Sequence, residues 1–298
     1  MRVPSSTISA AVTNQLQRLA TKQAQAQLQL VTLKRVKNLS DDPSVSGQIL
    51  NISKERQQLQ QYTRNNARAL EVSQAVYAGL NSLKSVSDRA GELVHLASGA
   101  SGPDAQKAYA AEVNELLEHA FQVANTKYSG DYIFGGTATD TAPFVATRDA
   151  DGRITGVTYV GAASGPEIRI AEDMTVSPFT DGASNQTIAD FLNQLVALRD
   201  VLNGTNSTPL DTISNDLANS ETALITTISG VGSVQTRLEI NEKQNLSRFT
   251  SLTNITSQLT DVDISAASVK LMQANTAYQA ALQSGSLILQ TSLLNYLK

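Results

Sequence analysis

The sequence predicts a mainly α protein: elongated helical rods, paired N- and C-terminal coiled-coil helices and a small β-rich insert at mid-chain. Three observations carry this prediction. Neither proline nor glycine occurs from Ser5 to Leu39, and no proline occurs from Leu210 to Lys298, so long stretches lack helix breakers. Apolar or small residues recur at heptad spacing at both chain ends. Six of the aromatic residues (Tyr128, Tyr132, Phe134, Phe144, Tyr159, Phe179) fall in one mid-chain stretch together with clustered glycines, where the helical period is lost.

The first helix is read from Val12, Leu16, Leu19, Ala26, Leu30 and Leu33, with Gln23 as the polar member of the stripe. Ser40-Asp41-Asp42-Pro43 restarts the chain: Asp42 can cap free N–H groups, and Pro43 suits the first helical position, where its missing donor costs nothing. A second helix follows from Val45 to Ala97, carrying Ile49, Ile52, Leu59, Leu70, Tyr77, Leu80, Leu83, Ala90 and Leu93; Gly79 and Gly91 weaken it without ending it. Some fifty residues at ~1.5 Å each make a rod of roughly 75 Å, longer than a globular core requires. Gly99 to Asp104 form a turn, and a third helix places Tyr109, Val113, Leu116, Ala120 and Val123 on one stripe.

The insert is expected near residues 130–182, with β-type runs at Tyr132-Ile133-Phe134, Thr158-Tyr159-Val160 and Ile168-Arg169-Ile170 and a hairpin signal at Asp151-Gly152. Helical periodicity returns at Ile188, Phe191, Leu192, Leu195 and Leu198. Thr208-Pro209-Leu210-Asp211 has the form of a capping box that opens a long helix through Ile213, Leu217, Leu224, Ile228, Val234, Leu238, Leu252 and Leu259. Asp261-Val262-Asp263 offers a cap for the last helix, which carries Ile264, Ala267, Leu271, Ala274, Tyr278, Ala281, Ile288 and Ser292 at heptad spacing. The expected domains are a terminal coiled-coil domain (1–40 with 262–298), a helical rod domain (41–129 with 183–261) and the β-rich insert (130–182).

Composition narrows the function. Charged residues are 17% of the chain, below the roughly 25% of an ordinary soluble domain. Ser, Thr, Asn and Gln make up about a third of it. Such surfaces are wetted by amides and hydroxyls or hidden in an assembly. The last helix makes the point: between Ile264 and Lys298 the charged residues are Lys270 and Lys298, where a solitary surface helix would carry a charged back face. Leu282, Leu289, Leu293 and Tyr296 add an apolar flank. The two ends therefore pair as a coiled coil whose remaining apolar surface meets other copies. The candidate assembly interface is Leu16, Leu19, Leu30, Leu271, Tyr278, Leu282, Leu289, Leu293 and Tyr296.

Catalytic and metal chemistry finds little support. With 0 Cys there is no disulfide framework, zinc ribbon or thiolate nucleophile. His95 and His119, the 2 histidines, have no ligand-spaced partners and read as surface or packing residues. Gly230-Val231-Gly232 lies in a helical stretch and reads as a bend or a close helix approach. Asp149-Ala150-Asp151-Gly152 lacks the later ligands of a calcium loop and reads as a hairpin turn. Lys34, Arg35 and Lys37 read as a solvated end of the first helix that faces its C-terminal dipole. A net charge of −4 supplies no general field for nucleic acid. No apolar run reaches the ~18 residues of a membrane span, and Met1-Arg2-Val3-Pro4-Ser5-Ser6 opens no signal-peptide core. No enzyme, no cofactor and no metal are expected.

Four groups of residues carry a family resemblance. These are Lys34-Arg35-Val36 with Ser40-Asp41-Asp42-Pro43 and Gln48-Ile49-Leu50; Ala124-Asn125-Thr126 with Gly130-Asp131-Tyr132-Ile133-Phe134-Gly135-Gly136-Thr137 and Pro143-Phe144; Val231-Gly232 with Arg237-Leu238-Glu239; and Asp261-Val262-Asp263 with Ala277-Tyr278-Gln279-Ala280 and Ser292-Leu293-Leu294-Asn295-Tyr296-Leu297. Together they resemble the flagellin superfamily of the bacterial flagellum, and in detail those members that join hook to filament. That family usually has a Ser-Gly step before Lys-Arg where this chain has Thr32-Leu33, so the first helix is expected to run on to about Lys37. The resemblance implies a structural, extracellular protein of the flagellum, exported unfolded without a cleaved signal. It implies contacts with a neighbouring hook-associated protein, flagellin subunits and copies of itself, and a cytosolic export chaperone over the C-terminal helix. The alternative reading is flagellin itself, the main filament subunit.

Overall fold

The structure, a computed structural model, describes residues 5–38, 40–99 and 102–296; for Ser5, Ser6, Ile8 and residues 288–296 it describes the backbone alone. Among the described residues there are six helices: α1 (Ser5–Thr32), α2 (Pro43–Ser98), α3 (Pro103–Ala124), α4 (Gly182–Leu202), α5 (Leu210–Thr260) and α6 (Ile264–Tyr296). Between α3 and α4 lie six short strands, β1 (Lys127–Tyr128), β2 (Asp131–Tyr132), β3 (Phe144–Arg148), β4 (Ile154–Tyr159), β5 (Ile168–Ala171) and β6 (Met174–Val176), paired as three antiparallel hairpins. The protein is mainly α with a small β insert. The chain divides into two compact units, Met1–Gln57 with Phe249–Lys298, and Gln58–Arg248.

The first unit is built on α1 and α6, which pack together. Two anchors show that they run antiparallel. The Val262 N–H donates to the Leu33 carbonyl (3.0 Å) at one end, and a Cβ on Gly285 would lie 3.0 Å from Val12 Cγ1 toward the other. Helix starts follow their caps: Asp42 Oδ1 accepts from the Val45 N–H (3.2 Å) for α2, and Asp263 Oδ1 accepts from Ser265 (2.9 Å) and Ala266 (3.1 Å) for α6. α1 ends at Thr32, not near Lys37, and Leu33 leaves the expected stripe with a left-handed φ of 56°. Leu33 takes the position after the helix that glycine usually fills. The reason is tertiary. Lys34 bridges to Asp261, and the Arg35 N–H donates to the Thr260 carbonyl (2.6 Å), while Val36 is buried. This pairing holds the chain out of the helix after Thr32, at a leucine whose own preference is helical.

In the second unit, α2 residues Val76, Leu80, Leu83, Ala90 and Leu93 share one core with α3, α4, α5 and the insert. The expected α4 stripe, Ile188, Phe191, Leu192, Leu195 and Leu198, is fully buried. In α3 the deepest residues are Ala110, Val113, Leu117, Ala120 and Ala124; Tyr109, Leu116 and Val123 of the expected stripe pack at the edge of that core. The capping box before α5 does not form. Thr208 donates its hydroxyl to Asn206 Oδ1 (2.8 Å), and the Pro209 carbonyl accepts from the Thr212 N–H (3.0 Å). Gly230 and Gly232 have nothing within 4 Å of a Cβ position, so close packing is not why they are glycines.

The insert departs from expectation at one run. Strand structure at Tyr132-Ile133-Phe134 stops at Tyr132, and Ile133 and Phe134 turn inward as buried plugs. Phe134 seats against α2 where Gly79 leaves room, since a Cβ there would lie 3.1 Å from its ring. The β1–β2 turn has positive φ at Ser129 (53°) and Gly130 (98°), the pattern of a type I′ hairpin. The Asp151-Gly152 hairpin joins β3 to β4 as expected. Asp149 Oδ1 accepts from the Asp151 (3.0 Å) and Arg153 (2.8 Å) N–H groups, so that carboxylate closes a turn.

Asparagine amides tie the insert to the helices. Asn125 at the end of α3 accepts from the Phe144 N–H (3.1 Å) and donates to the Phe144 carbonyl (3.1 Å); Asn193 of α4 does the same to Val157 (both 2.9 Å). Each amide substitutes for a neighbouring strand at the edge of the two-stranded sheet. Asn65 of α2 and Asn245 of α5 donate to the Arg169 (2.7 Å) and Ile170 (3.3 Å) carbonyls of β5. Part of the amide-rich composition thus has a fold-level cause: small β elements without partner strands are satisfied by helix side chains.

Candidate assembly interface

The covered positions of α1 (Val12, Leu16, Leu19, Gln23, Ala26 and Leu30) and of α6 (Ala267, Leu271, Ala274, Tyr278, Ala281 and Gly285) recur every three or four residues, so one stripe of each helix forms the seam. Ala267 and Gly285 are buried, whereas Leu16, Leu19, Leu30, Leu271 and Tyr278 remain half-buried. A two-helix pair cannot cover the bulk of its larger members. The structure therefore brings five of the proposed interface residues to one seam within the chain.

The other four stand apart. Leu282 is off the seam and 45% exposed, and the side chains of Leu289, Leu293 and Tyr296 lie outside the described residues, as do those of Ile288 and Ser292. Ile264, expected on the seam, is exposed. The sequence reading missed the more exposed group: Leu28 and Val31 of α1, with Val31 76% exposed, and Val269, Met272 and Leu287 of α6, with Met272 65% exposed. With about 100° of turn per residue, Ile264 and Leu282 share a direction, Met272 lies about 80° farther round and Val269 and Leu287 about 140°. Across this flank of α6 the exposed apolar residues alternate with uncharged polar ones, Ser268, Asn275, Gln279, Gln283 and Ser286. Lys270, Ala277 and Ser284 occupy the opposite flank. Plotting all apolar residues of α6 on a wheel, instead of the heptad positions alone, would have found this flank.

Electrostatics leave that flank bare. α1 carries Arg18 and Lys22 and α6 carries Lys270, with no acidic residue in either helix. No ion pair can form between the two helices. Charge is concentrated instead where α1 gives way to α2. Lys34 pairs with the Asp261 carboxylate, which also accepts from the Ser257 hydroxyl, and Arg35 Nη2 donates to the Leu259 carbonyl (2.8 Å). The Lys34 and Ser257 contacts pull the Asp261 pKa down from 3.8 to about 2. Lys34 and Arg35 therefore serve the C-terminal end of α5, where free carbonyls and the helix dipole attract cations, and not the end of α1. Arg56 adds a stacked guanidinium 4.8 Å from the Phe249 ring centre.

Catalytic groups do not converge here. His95 and His119 are exposed on different helices. Among the described residues no three or more His, Cys, Asp or Glu side chains gather to hold a metal ion, and no helix is long and apolar enough to cross a membrane.

Comparison with known proteins agrees with this architecture. Residues 4–139 match the bacterial flagellin N-terminal helical region. Flagellar hook-associated protein 3 of Escherichia coli (strain K12) is 26% identical, over 85% of this chain and 86% of its own length. Among solved structures, a hook-associated-type flagellar protein of Vibrio parahaemolyticus superposes with a TM-score of 0.65 at 17% identity, over 74% of this chain and all of that one. Bacillus cereus FlgL superposes with a TM-score of 0.58 at 19% identity, over 71% of this chain and all of that one. These two structural likenesses bear on the fold alone. By these comparisons the chain is similar over residues 4–139 to the bacterial flagellin N-terminal helical region, and over most of its length to flagellar hook-associated protein 3.

Proposed function

We propose that the chain is a structural subunit of the bacterial flagellum that joins the hook to the filament. The observation that carries the proposal is the exposure of Ile264, Val269, Met272, Leu282 and Leu287 on a nearly uncharged face of the α1–α6 pair. It makes sense on a subunit surrounded by other subunits and little sense on a free one. In this reading residues 1–40 with 262–298 form the terminal coiled-coil domain around the axis of the structure. Residues 41–129 with 183–261 form a rod domain that carries torque, and residues 130–182 form an insert that adjusts contacts with neighbours. The candidate interface, Leu16 to Tyr296, is completed by copies of the chain, by a neighbouring hook-associated protein and by the first flagellin subunits. Before assembly a cytosolic export chaperone covers the last helix, and the chain leaves the cell unfolded with no signal removed. Its work is mechanical and not catalytic.

Immunogold labelling of intact flagella tests this reading. A narrow band at the hook boundary supports a junction subunit. Label along the whole filament would mean that the chain is flagellin, and absence of label from flagella would overturn both.

A further inference from the structure

Gly230 and Gly232 lie near the middle of the 51-residue α5, where alanine would hold the helix better and would meet nothing within 4 Å. Their neighbours weaken the same stretch. The hydroxyls of Thr226, Thr227, Ser229, Ser233 and Thr236 each donate to the carbonyl four residues earlier (2.9–3.1 Å), a contact that loosens and bends a helix. Paired glycine and serine are also where sharp helix bends occur.

The packing gives way at the same level. Val72 of α2 and Val231 of α5 belong to the main core of the second unit, whereas Ala69 and Leu238 form a separate small cluster with Ile170 and Val176 of the insert. The break between the two clusters crosses both helices where Gln235 Nε2 donates to the Ser73 carbonyl (3.1 Å). The Ser73 hydroxyl is fully buried there and has no hydrogen-bond partner among the described residues. A cleft of about 320 Å³ runs alongside, lined by Thr226, Gly230 and Val234 of α5 and by Ser177, Pro178 and Ser184 at the approach to α4. A helix softened by its own residues, an interrupted core and room to move thus coincide. We propose that this stretch is a flexure: α5 bends about Gly230–Gly232, the two clusters tilt against each other and the cleft beside them opens and closes. α2 follows by the gentle curvature that long helices tolerate. Its mechanical role rests on the proposed function, in which it makes the torque-carrying rod compliant at a fixed place.

The 0 Cys of the chain allows spin labels at chosen sites. Asn219→Cys and Glu242→Cys, both exposed on α5 and on either side of the stretch, are labelled in the purified full chain, and their separation is read by double electron–electron resonance. The native distance distribution should be broad. Gly230→Ala with Gly232→Ala should narrow it and raise hydrogen-exchange protection of residues 230–236 roughly ten-fold or more, since each glycine costs a helix about five-fold in its local equilibrium. Ser229→Ala with Ser233→Ala should narrow it as well, and replaces the first pair if that variant does not fold. A native distribution as narrow as the variants', or protection that does not rise, overturns the flexure. In cells, the glycine-to-alanine pair should keep filaments attached in thin medium and lose them in viscous medium; attachment in both would refute the mechanical role. Absence of the native chain from flagella would overturn the junction reading and leave the flexure of the purified chain standing.

Discussion

At the scale of single residues, two side chains hold more structure than their size suggests. Asn185 is fully buried. It donates to the Phe134 carbonyl (2.9 Å) and lies 3.1 Å from the Tyr159 hydroxyl oxygen, while the Thr180 hydroxyl donates to it. Asn185→Ala strands those groups in a dry interior, and thermal or denaturant unfolding should show a loss of about 1–3 kcal/mol. Asp261 ties the start of the α1–α2 connection to the end of α5. Its folded pKa of about 2 lies below its unfolded value of 3.8. The stabilisation is therefore complete above about pH 4 and is lost as pH falls toward 2. Carboxyl NMR should place the Asp261 midpoint near 2 in the native chain. Lys34→Ala should move it up toward the ordinary value; an unmoved midpoint would mean that the Lys34 contact is not what lowers it.

The helix elements show where sequence alone suffices and where it fails. The α4 stripe, the α2 and α6 caps and the Asp151-Gly152 hairpin were legible because each depends on neighbours within a turn or two. Leu33 was not legible. Nothing local marks a left-handed leucine, and the cause, a pairing with Asp261, lies more than two hundred residues away in the chain. The plug Ile133-Phe134 was misread as strand for a similar reason, since its partner is the gap at Gly79 in another element. Of the proposed interface, the seam residues could be read from heptads, whereas the exposed flank required knowing which face α1 takes. Helix glycines give a matched prediction. Gly91→Ala, with nothing within 4 Å, should stabilise the second unit by up to about 1 kcal/mol through helix propensity. Gly79→Ala meets the buried Phe134 ring and should instead destabilise it by about 1 kcal/mol or more. Paired thermal melts decide the matter, and equal shifts for both variants would contradict the Phe134 seating.

At the scale of the whole molecule, the two units differ in how completely they bury their own apolar residues. The second has a contiguous core drawn from four helices and the insert. The first leaves the larger seam residues half-covered and one flank of α6 open. Hydrogen exchange on the free chain should therefore be fast through α1 and α6 and slow through α4 and the middle of α2; uniform protection would mean that the first unit needs no neighbours. The central claim is that the exposed flank of α6 is completed by other subunits. Met272→Asp tests it most directly, because at 65% exposure the change leaves the isolated fold intact while burying an unpaired charge in any assembled contact. With filaments counted by electron microscopy and the melting temperature of the purified variant measured alongside, the account predicts an unchanged melt and a loss of filaments. Normal filaments on cells carrying the variant would contradict it.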